Sequence, residues 1–308
     1  MKKNNSKDEI SGVLVVRKHA GVTSHDIVNK VRRLWGTRRV GHTGTLDPMA
    51  TGVLVVLIGR AAKASEYLVT DSKRYRARLR LGITTDTEDT TGAVLSTADA
   101  LPSSAEVAAV LPQFHGKIQQ IPPMYSALKV GGKKLVDLAR EGIVIERQAR
   151  EIEIFDLEME TTDVPTDYIL NVHCSGGTYI RTLCADIGAA LGCGGAMAEL
   201  ERAETGGFTL EQAHTLDELE RMTPEERSAL LIPTESLFLP CPAVTLPTFY
   251  ERLCRSGCEI YLKKLRAELS VGTRVRLYTE QREFFALGEV REYPDGNAIK
   301  AIKTFSLE

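Results

Sequence analysis

A strictly alternating segment, Arg74–Leu81, is the sequence feature that most constrains the fold of this chain. Every second residue is an arginine, and the residues between them are Tyr75, Ala77, Leu79 and Leu81. A period of two places successive side chains on opposite faces of a strand, so one face is basic and the other is mainly apolar. The segment therefore predicts a half-buried strand in a sheet, with a basic outer surface.

Other segments predict further strands and helices around it. Short apolar runs predict strands, and apolar residues at helical spacing predict helices. Ser24 is the predicted N-cap of a first helix, and Gly176-Gly177 leads into another helix with an apolar stripe. The predicted strands are 12–17, 53–58, 74–81, 152–159 and 168–174, and further helical patterns occur at 103–111 and 215–230.

The last part of the 308-residue chain is typical of a separate small domain. Four prolines between Ile232 and Pro247 predict a linker. A helical stretch over 249–268 and short strands at 271–278, 284–290 and 297–303 follow it. We therefore predict an α+β domain built on a mixed, mainly antiparallel sheet, with a small β domain after the linker.

Charge is unevenly distributed along the chain, although 39 Lys and Arg nearly balance 41 Asp and Glu. From Arg17 to Arg80 there are 14 basic and 4 acidic residues, a net of +10, and from Lys117 to Arg150 there are 7 and 3, a net of +4. By contrast, 84–110 carries five acids and 151–170 carries seven, without one base. A protein with one basic side binds phosphates despite a neutral total, but clustered solvated faces give the same pattern.

Composition excludes a membrane protein and argues against a secreted one. No apolar run approaches the ~18 residues of a membrane span, and segment 1–10 has lysines without the apolar core of a secretory signal. The six cysteines form no Cys-x-x-Cys pair and have no histidine at zinc-finger spacing. We therefore expect a cytoplasmic protein with reduced, buried thiols and no metal site.

The loop Gly41–Gly52, with the sequence GHTGTLDPMATG, holds the first candidate for chemistry. It lacks the lysine of a phosphate-binding P-loop and the glycine spacing of a dinucleotide-binding loop. What it offers is one carboxylate, Asp47, which Pro48 keeps out of helical conformation at the mouth of the following strand. Catalytic groups often occupy such loops, but Asp-Pro is also a common turn, and the dipeptide alone favours a turn.

Three separated motifs give this loop a more specific interpretation. They are Gly41–Gly52, Lys73-Arg74-Tyr75 and Gly177-Thr178-Tyr179-Ile180-Arg181. In this order they resemble the TruB family of tRNA pseudouridine synthases, and the resemblance extends to GVLVVRKHAGVTSHDIV and IPPMYSALKVGGKKLVDLAREG. It implies a pseudouridine synthase catalytic domain over 11–235, with an inserted RNA-binding flap at about 118–150, and a PUA-like RNA-binding domain over 243–308.

The resemblance also implies a reaction, in which a uridine in the T-loop of tRNA, at position 55, becomes pseudouridine. The C1′–N1 glycosidic bond breaks and a C1′–C5 bond forms on a flipped-out nucleotide. Substrate and product contain the same atoms, so we expect no cofactor. An ionised aspartate could attack C1′, attack C6 or remove a proton from C2′, and the sequence leaves these routes open.

By resemblance, Asp47 is the catalytic residue and Arg181 is the arginine that pairs with it and keeps it ionised. Tyr75 also assists removal of the C5 proton. The residues that line the uracil pocket or pack in the T-loop are Tyr75, Tyr179, Leu200 and His42. Taken without the resemblance, Tyr75 is better interpreted as a core aromatic, and Arg181 is equally an exposed helix arginine.

Basic residues are predicted to contact phosphates and so to offset the cost of unstacking the nucleotide. The predicted RNA contacts are Lys63, Lys73, Arg74, Lys129 and Lys133. Gly131-Gly132 suggests that the insert is a mobile flap which closes over the RNA. The expected partner is the T-arm stem-loop of tRNA, and we expect a monomer that requires no protein partner.

Two positions depart from the family pattern, since Ala196 stands where a histidine is common and Glu201 where a basic residue is usual. We expect both on a helix beside Leu200, where they affect RNA contacts rather than catalysis. A non-catalytic tRNA-binding folding chaperone is the alternative, because basic segments and a PUA-like tail serve both functions. An aspartyl-phosphate phosphotransferase is disfavoured, because Asp47 lacks the usual Asp-x-Asp partner.

Overall fold

The structure is a computed structural model, and it describes residues 10–67 and 72–306. The interpretation of segment 1–10 therefore lies outside the described residues, apart from Ile10, as do the last two residues of the predicted tail domain. No described helix is both long enough and apolar enough to cross a lipid bilayer.

The strands are numbered in chain order. They are β1 (Gly12–Lys18), β2 (Val40–His42), β3 (Thr51–Ile58), β4 (Lys73–Leu81), β5 (Ile83–Thr85), β6 (Val94–Thr97), β7 (Gly116–Gln120), β8 (Lys129–Val130), β9 (Lys133–Lys134), β10 (Arg150–Thr161), β11 (Asp167–Cys174), β12 (Gly195–Thr205), β13 (Phe208–Thr209), β14 (Ala243–Thr245), β15 (Ile260–Tyr261), β16 (Arg274–Tyr278), β17 (Phe284–Tyr293) and β18 (Gly296–Thr304).

The helices are numbered in the same way. They are α1 (Ser24–Trp35), α2 (Ser104–Val110), α3 (Leu135–Arg140), α4 (Ile180–Ala190), α5 (Leu216–Arg221), α6 (Pro224–Ala229), α7 (Thr248–Arg255) and α8 (Leu262–Leu265). Shorter 3₁₀ segments cover Gly59–Tyr67, Leu111–Phe114, Leu210–Gln212 and Thr234–Phe238.

Nine of the described strands form one sheet, with the order β1-β3-β12-β4-β11-β10-β7 and with β2 beside β3 and β13 beside β12. β3 and β12 pair in parallel, and the other pairs are antiparallel. At the parallel pairing Gly52 has a φ of +101°, and a Cβ there would lie 2.2 Å from the Arg202 carbonyl oxygen, so only glycine fits. The sheet confirms the predicted α+β class and mixed, mainly antiparallel arrangement.

The two faces of this sheet bury different surfaces. The front face carries Leu14, Leu54 and Leu79, and it packs against the apolar stripes of α1 and α4. The back face carries Val13 and Val53, and it packs against the C-terminal domain. β4 has the predicted alternation, because its Tyr, Ala and Leu residues are all buried on the front face.

The C-terminal domain is a five-stranded sheet of order β14-β16-β17-β18-β15. Its Phe284 and Phe305 rings lie 6.1 and 5.6 Å from the ring of Phe238, which the preceding segment contributes. These rings belong to the same apolar cluster as the back-face valines of β1 and β3. The β-rich tail is therefore present, and it packs behind β1 and β3, the second of which follows the loop of Asp47.

Several local predictions are wrong where tertiary contacts compete. The N-cap of α1 is Thr23, whose side chain accepts from Asp26 N, while Ser24 is buried and bonds elsewhere. Residues 195–205 form β12, so Ala196 and Glu201 lie on a strand and not on a helix. Pairing with β3 and β4 on both sides of this segment accounts for the difference.

The predicted linker and the predicted helical segments each contain several short elements where one was expected. The proline-rich segment contains the 3₁₀ segment Thr234–Phe238 and β14, which joins the second sheet. The pattern over 215–230 gives α5 and α6, and the pattern over 249–268 gives α7, β15 and α8. All six cysteines are free, and four of them are buried as predicted, whereas Cys258 is exposed.

Candidate active site

The loop that carries Asp47 is fixed by hydrogen bonds to its backbone. Ser24 Oγ donates to the Leu46 carbonyl oxygen at 2.9 Å and accepts from Leu46 N at 2.8 Å. Gly21 N donates to the Pro48 carbonyl oxygen at 2.8 Å. The residues on both sides of Asp47 are therefore held, which places its carboxylate on a rigid turn between β2 and β3.

Lys18, at the end of β1, supports the same turn. Its side chain is fully buried, and Nζ donates to the carbonyl oxygens of Ala50 at 2.6 Å, His19 at 3.0 Å and Pro48 at 3.2 Å. Burial lowers the pKa of Lys18 to about 8, although the carboxylate of Asp47 opposes the shift. The buried amine of Lys18 thus stabilises the loop by donating hydrogen bonds to its backbone carbonyls.

Asp47 and Arg181 form a two-point ion pair. Arg181 Nε lies 2.9 Å from Asp47 Oδ2, and Nη2 lies 3.4 Å from Oδ1. The Arg181 side chain is 6% exposed, whereas that of Asp47 is 33% exposed. Because Arg181 lies in the first turn of α4, packing of this helix on the front face brings the guanidinium to the loop.

Arg181 has further partners in the loop between β5 and β6 and in the insert. Its Nη1 donates to the Thr87 carbonyl oxygen at 3.1 Å, and its Nη2 donates to the Tyr125 carbonyl oxygen at 2.7 Å. Asp89 Oδ2 lies 3.8 Å from Nη1, and the side chains of Thr87 and Thr91 donate to Asp89 Oδ1. These contacts fix the orientation of the arginine before any substrate binds.

The charge state of Asp47 is set by opposing effects. Burial raises the pKa of Asp47 above its ordinary value of 3.8, the charge of Arg181 lowers it, and the charge of Asp89 raises it again. Burial has the largest effect, so the pKa is raised overall. Arg181 thus acts in the expected direction, and burial is an additional effect that opposes it.

A cleft of about 690 Å³ opens over Asp47. Tyr75 and Leu200 lie on its sheet side, and His42 lies at the end of β2. Tyr179 lies just before α4, where its backbone exchanges hydrogen bonds of 3.0 and 2.8 Å with the side chain of Gln120. The structure thus brings to one cleft all the residues predicted for catalysis and uracil binding, namely Asp47, Tyr75, Arg181, His42, Tyr179 and Leu200.

Three aromatic side chains of the cleft, those of Tyr75, Tyr179 and His42, have pKa values that are shifted in favour of the neutral form. Burial raises the pKa of Tyr75 and of Tyr179 above the ordinary value of 10.0. Burial, together with the charges of Arg202 and His25, lowers the pKa of His42 below 6.5. The imidazole of His42 and the phenols of Tyr75 and Tyr179 are therefore uncharged rings against which a neutral base can pack.

The RNA-binding insert predicted at about 118–150 corresponds to residues 121–149, between paired Gln120 of β7 and Arg150 of β10. It has a small core of its own, formed by Met124, Leu135 and Leu138. Lys129 and Lys133 are exposed on the β8–β9 hairpin. The basic residues of the insert that line the cleft are instead Lys134 and Arg140.

The other predicted RNA contacts lie in three different places. Lys73 lines the cleft, and Lys63 donates to the Thr304 carbonyl oxygen of the C-terminal domain at 3.3 Å. Arg74 lies on the back face, where its Nε is 3.4 Å from Glu204. The remaining β4 arginines also pair with carboxylates, through the pairs Arg76–Glu160, Arg78–Glu199 and Arg80–Asp167.

Three buried charged residues of the site were not found by sequence reasoning, namely Lys18, Arg202 and Asp89. Lys18 follows Leu14 and Val16 at a period of two, and this spacing could have placed it on the front face. Arg202 follows Leu200 in the same way, but the segment was interpreted as a helix. Asp89 gave no signal, because the tertiary fold alone brings its loop to Arg181.

The arrangement suits nucleophilic or proton-transfer chemistry on a flat, neutral ring. It supplies one partly exposed carboxylate, oriented by a buried guanidinium, beside neutral aromatic rings. Within residues 10–67 and 72–306, no group of three or more His, Cys, Asp or Glu side chains is arranged to hold a metal ion.

Comparison with known proteins identifies the family. The profile of the TruB family pseudouridylate synthase N-terminal domain matches residues 32–180, and that of the tRNA pseudouridylate synthase B C-terminal domain matches 181–239. The tRNA pseudouridine synthase B of Clostridium tetani is 39% identical over 282 residues, covering 91% of this chain and 96% of that protein. The protein of the same name from Thiobacillus denitrificans is 45% identical over 284 residues, covering 92% and 93%.

A solved structure shares the fold over nearly the whole chain. The crystal structure of a Cbf5–Nop10–Gar1 complex contains a chain that is 25% identical, with a TM-score of 0.73, over 97% of this chain and 85% of that one. The two tRNA pseudouridine synthase B relatives, which are 39% and 45% identical and are matched over 96% and 93% of their length, establish the family. The chain belongs to the TruB family of pseudouridylate synthases, the enzymes that isomerise uridine to pseudouridine in tRNA.

Proposed function

We propose that Asp47 is the catalytic carboxylate with which this enzyme converts the uridine at position 55, in the T-loop of tRNA, into pseudouridine. The observation that carries the proposal is the Asp47–Arg181 ion pair, which opens onto a cleft walled by Tyr75 and Leu200. A base that leaves its stack can enter this cleft, and the carboxylate is partly exposed to it. Family membership gives the isomerase activity, and the geometry supports this assignment of residues.

The chemistry requires a carboxylate and a dry pocket, and it consumes no other reactant. The C1′–N1 bond breaks, C1′ bonds to C5, and the hydrogen on C5 is replaced by a hydrogen on N1, so atoms and electrons balance without a cofactor. Attack at C1′, attack at C6 and removal of the C2′ proton all use ionised Asp47. The charge of Arg181 favours this ionised form against the effect of burial.

The proposed nucleobase contacts come from the same cleft, and the proposed phosphate contacts extend beyond it. Tyr75 walls the uracil and assists removal of the C5 proton, and the phenol of Tyr179 and the side chains of Leu200 and His42 pack against the nucleotide. Lys73 and the exposed hairpin lysines, Lys129 and Lys133, contact phosphates. Two secondary phosphate contacts, each already engaged with another part of the protein, are Lys63 and Arg74.

The proposal extends to the larger assembly. The T-arm stem-loop is the bound segment, and residues 243–308 act as a PUA-like RNA-binding domain. We propose that the enzyme works as a monomer that requires no protein partner. Because its substrate is tRNA, we place the enzyme in the cytoplasm.

The test is conversion of an unmodified T-arm stem-loop by the purified protein without added cofactor, followed by chemical mapping of pseudouridine. The wild-type protein should modify a single uridine. Asp47→Asn should lower the single-turnover rate by more than about 10³-fold, because a neutral amide cannot act as a nucleophile or base. Its affinity for the RNA should change by less than about threefold, since no phosphate contact is lost.

The matched control is Asp163→Asn, which makes the same substitution at an exposed turn residue and should react like wild type. A folding chaperone without chemistry would give a different result. In that case the wild-type protein would bind the stem-loop without forming pseudouridine, and Asp47→Asn would be indistinguishable from it.

A further inference from the structure

Arg202 is a buried cation whose hydrogen bonds go to backbone carbonyls. Its side chain is only 1% exposed, at the edge of the cleft. Nε donates to the Val53 carbonyl oxygen at 2.8 Å, Nη2 to that of Gly44 at 3.1 Å and Nη1 to that of Thr45 at 3.4 Å. Burying a cation is costly unless its donors are satisfied, and here each guanidinium nitrogen has its own acceptor.

The three acceptors lie on both sides of Asp47. Gly44 and Thr45 precede the aspartate in the loop, and Val53 follows it in β3. A planar guanidinium keeps its donors in a fixed fork, so it holds the two ends of the loop at one separation. A lysine ammonium also has three donors, but all of them leave from one nitrogen on a flexible chain, so it cannot span carbonyls at the separation that the three guanidinium nitrogens set.

Arg202 is also the residue of β12 that lies directly opposite Tyr75 of β4 in the sheet. Both side chains line the cleft. Burial raises the pKa of the Tyr75 phenol, and the charge of Arg202 opposes part of that rise. One side chain therefore acts on both the loop of the carboxylate and the phenol of the pocket.

We propose that Arg202 is a positioning residue of the isomerisation, which fixes the loop of Asp47 relative to the ring of Tyr75 so that carboxylate and phenol meet the base in one geometry. This inference rests on the proposed roles of Asp47 and Tyr75. Arg202 does not need to touch the substrate, since it acts through the three carbonyls and the phenol. A displacement of about 1 Å at a reacting group costs on the order of 10²-fold in rate, which is the size of effect expected from its loss.

The test compares Arg202→Met, Arg202→Lys and Arg202→Ala with a matched control, Arg17→Met. Arg17 is an exposed arginine of β1, and it forms an ion pair of 3.5 Å with Glu201. For each protein we would measure the affinity and stoichiometry of stem-loop binding, the thermal midpoint and the single-turnover rate. Dividing the rate by the bound fraction removes any loss that is due only to unfolded protein.

Positioning predicts a rate per bound RNA about 10²-fold lower for Arg202→Met, with an affinity within about threefold of wild type. Arg202→Lys should also be slower than wild type, because it keeps the charge but loses the rigid fork that spaces the three carbonyls. Added guanidinium ion should accelerate Arg202→Ala and leave Arg17→Met unchanged. If Arg202→Met does not fold, the rate and thermal midpoint of Arg202→Lys decide the question.

A wild-type rate per bound RNA in Arg202→Met or in Arg202→Lys would overturn the inference, even if the thermal midpoint falls. A purely structural arginine would lower the folded fraction and leave that rate unchanged. The proposed function fails by a different result, namely the absence of pseudouridine with the wild-type enzyme. The two failures are therefore distinguishable.

Discussion

The two faces of the large sheet place arginines in opposite environments. On the back face, Arg76 is 54% exposed and lies 3.5 Å from the equally exposed Glu160. On the front face, the guanidinium groups of Arg181 and Arg202 are almost completely buried beside Tyr75. Exposed pairs contribute little to stability, whereas a buried charge must keep all its partners. Arginine therefore forms exposed ion pairs on the back face, whereas on the front face it fixes the position of the loop that carries Asp47.

The comparison predicts the largest effect for Arg181→Met. This change removes the partner of Asp47 and leaves its carboxylate without the charge that orients it. We expect the single-turnover rate to fall by about 10³-fold, comparable to the loss of a preorganised electrostatic donor, while stem-loop affinity changes little. If the single-turnover rate fell by less than tenfold, the buried Arg181 would contribute no more to the reaction than the exposed arginines of the back face are expected to.

The apolar part of the back face should matter for stability and not for chemistry. Phe238→Ala removes a buried ring that packs against Phe284 and Phe305. We expect the free energy of unfolding to fall by about 3 kcal/mol in denaturant titrations, with the rate per bound RNA unchanged. The control is Leu239→Ala at the adjacent exposed position, where a loss above about 1 kcal/mol would contradict this assignment.

Asp89→Asn tests how a buried charge on the front face affects the pKa of Asp47. The three donors from Thr87 and Thr91 all bind Asp89 Oδ1, so an asparagine can keep them while it loses the charge and, with it, the 3.8 Å ion pair with Arg181. The negative charge of Asp89 raises the pKa of Asp47, so its removal lowers that pKa. Because the proposed chemistry needs ionised Asp47, the midpoint of the acidic limb of the rate should move to lower pH. The measurement is the single-turnover rate against pH, and a midpoint that stays fixed or rises would refute the argument.

Arg76→Met should have the smallest effect. Its ion pair with Glu160 is exposed, and such pairs contribute about 0–1 kcal/mol. We expect the rate to stay within about twofold of wild type and the free energy of unfolding within about 1 kcal/mol. A marked loss of stem-loop affinity would instead show that RNA reaches the back face, as the sequence first suggested for the arginines of β4.

The sequence predicted features that depend on local pattern. Alternation placed Tyr75 on the buried face of β4, and the Asp-Pro step placed Asp47 on a turn before a strand. Motif order, through the family resemblance, then brought Arg181 to the same cleft. These features could be predicted because each depends on a few neighbouring residues or on a motif that resembles a known one.

Features that depend on distant contacts could not be predicted. Thr23 and Ser24 are equally good N-caps in isolation, and the hydrogen bonds of Ser24 with Leu46 decide between them. The basic face of β4 looked suited to phosphate, but strand register places Glu199 opposite Arg78 and so neutralises part of that face. Strand register and burial depend on how all the strands of the sheet pair, so they cannot be predicted from the sequence of a single segment.

The direct pairing of Gln120 with Arg150 brings both ends of the insert to neighbouring points, about 5 Å apart in an antiparallel ladder. The 29 residues between them can be lengthened, shortened or exchanged without altering the spacing of β7 and β10. The outer part of the insert can therefore vary independently of the sheet, whereas the Tyr125 carbonyl oxygen must stay within reach of Arg181 Nη2. Grafting a different segment between these two anchors, with Tyr125 retained, would test whether the insert contributes to the choice of stem-loop.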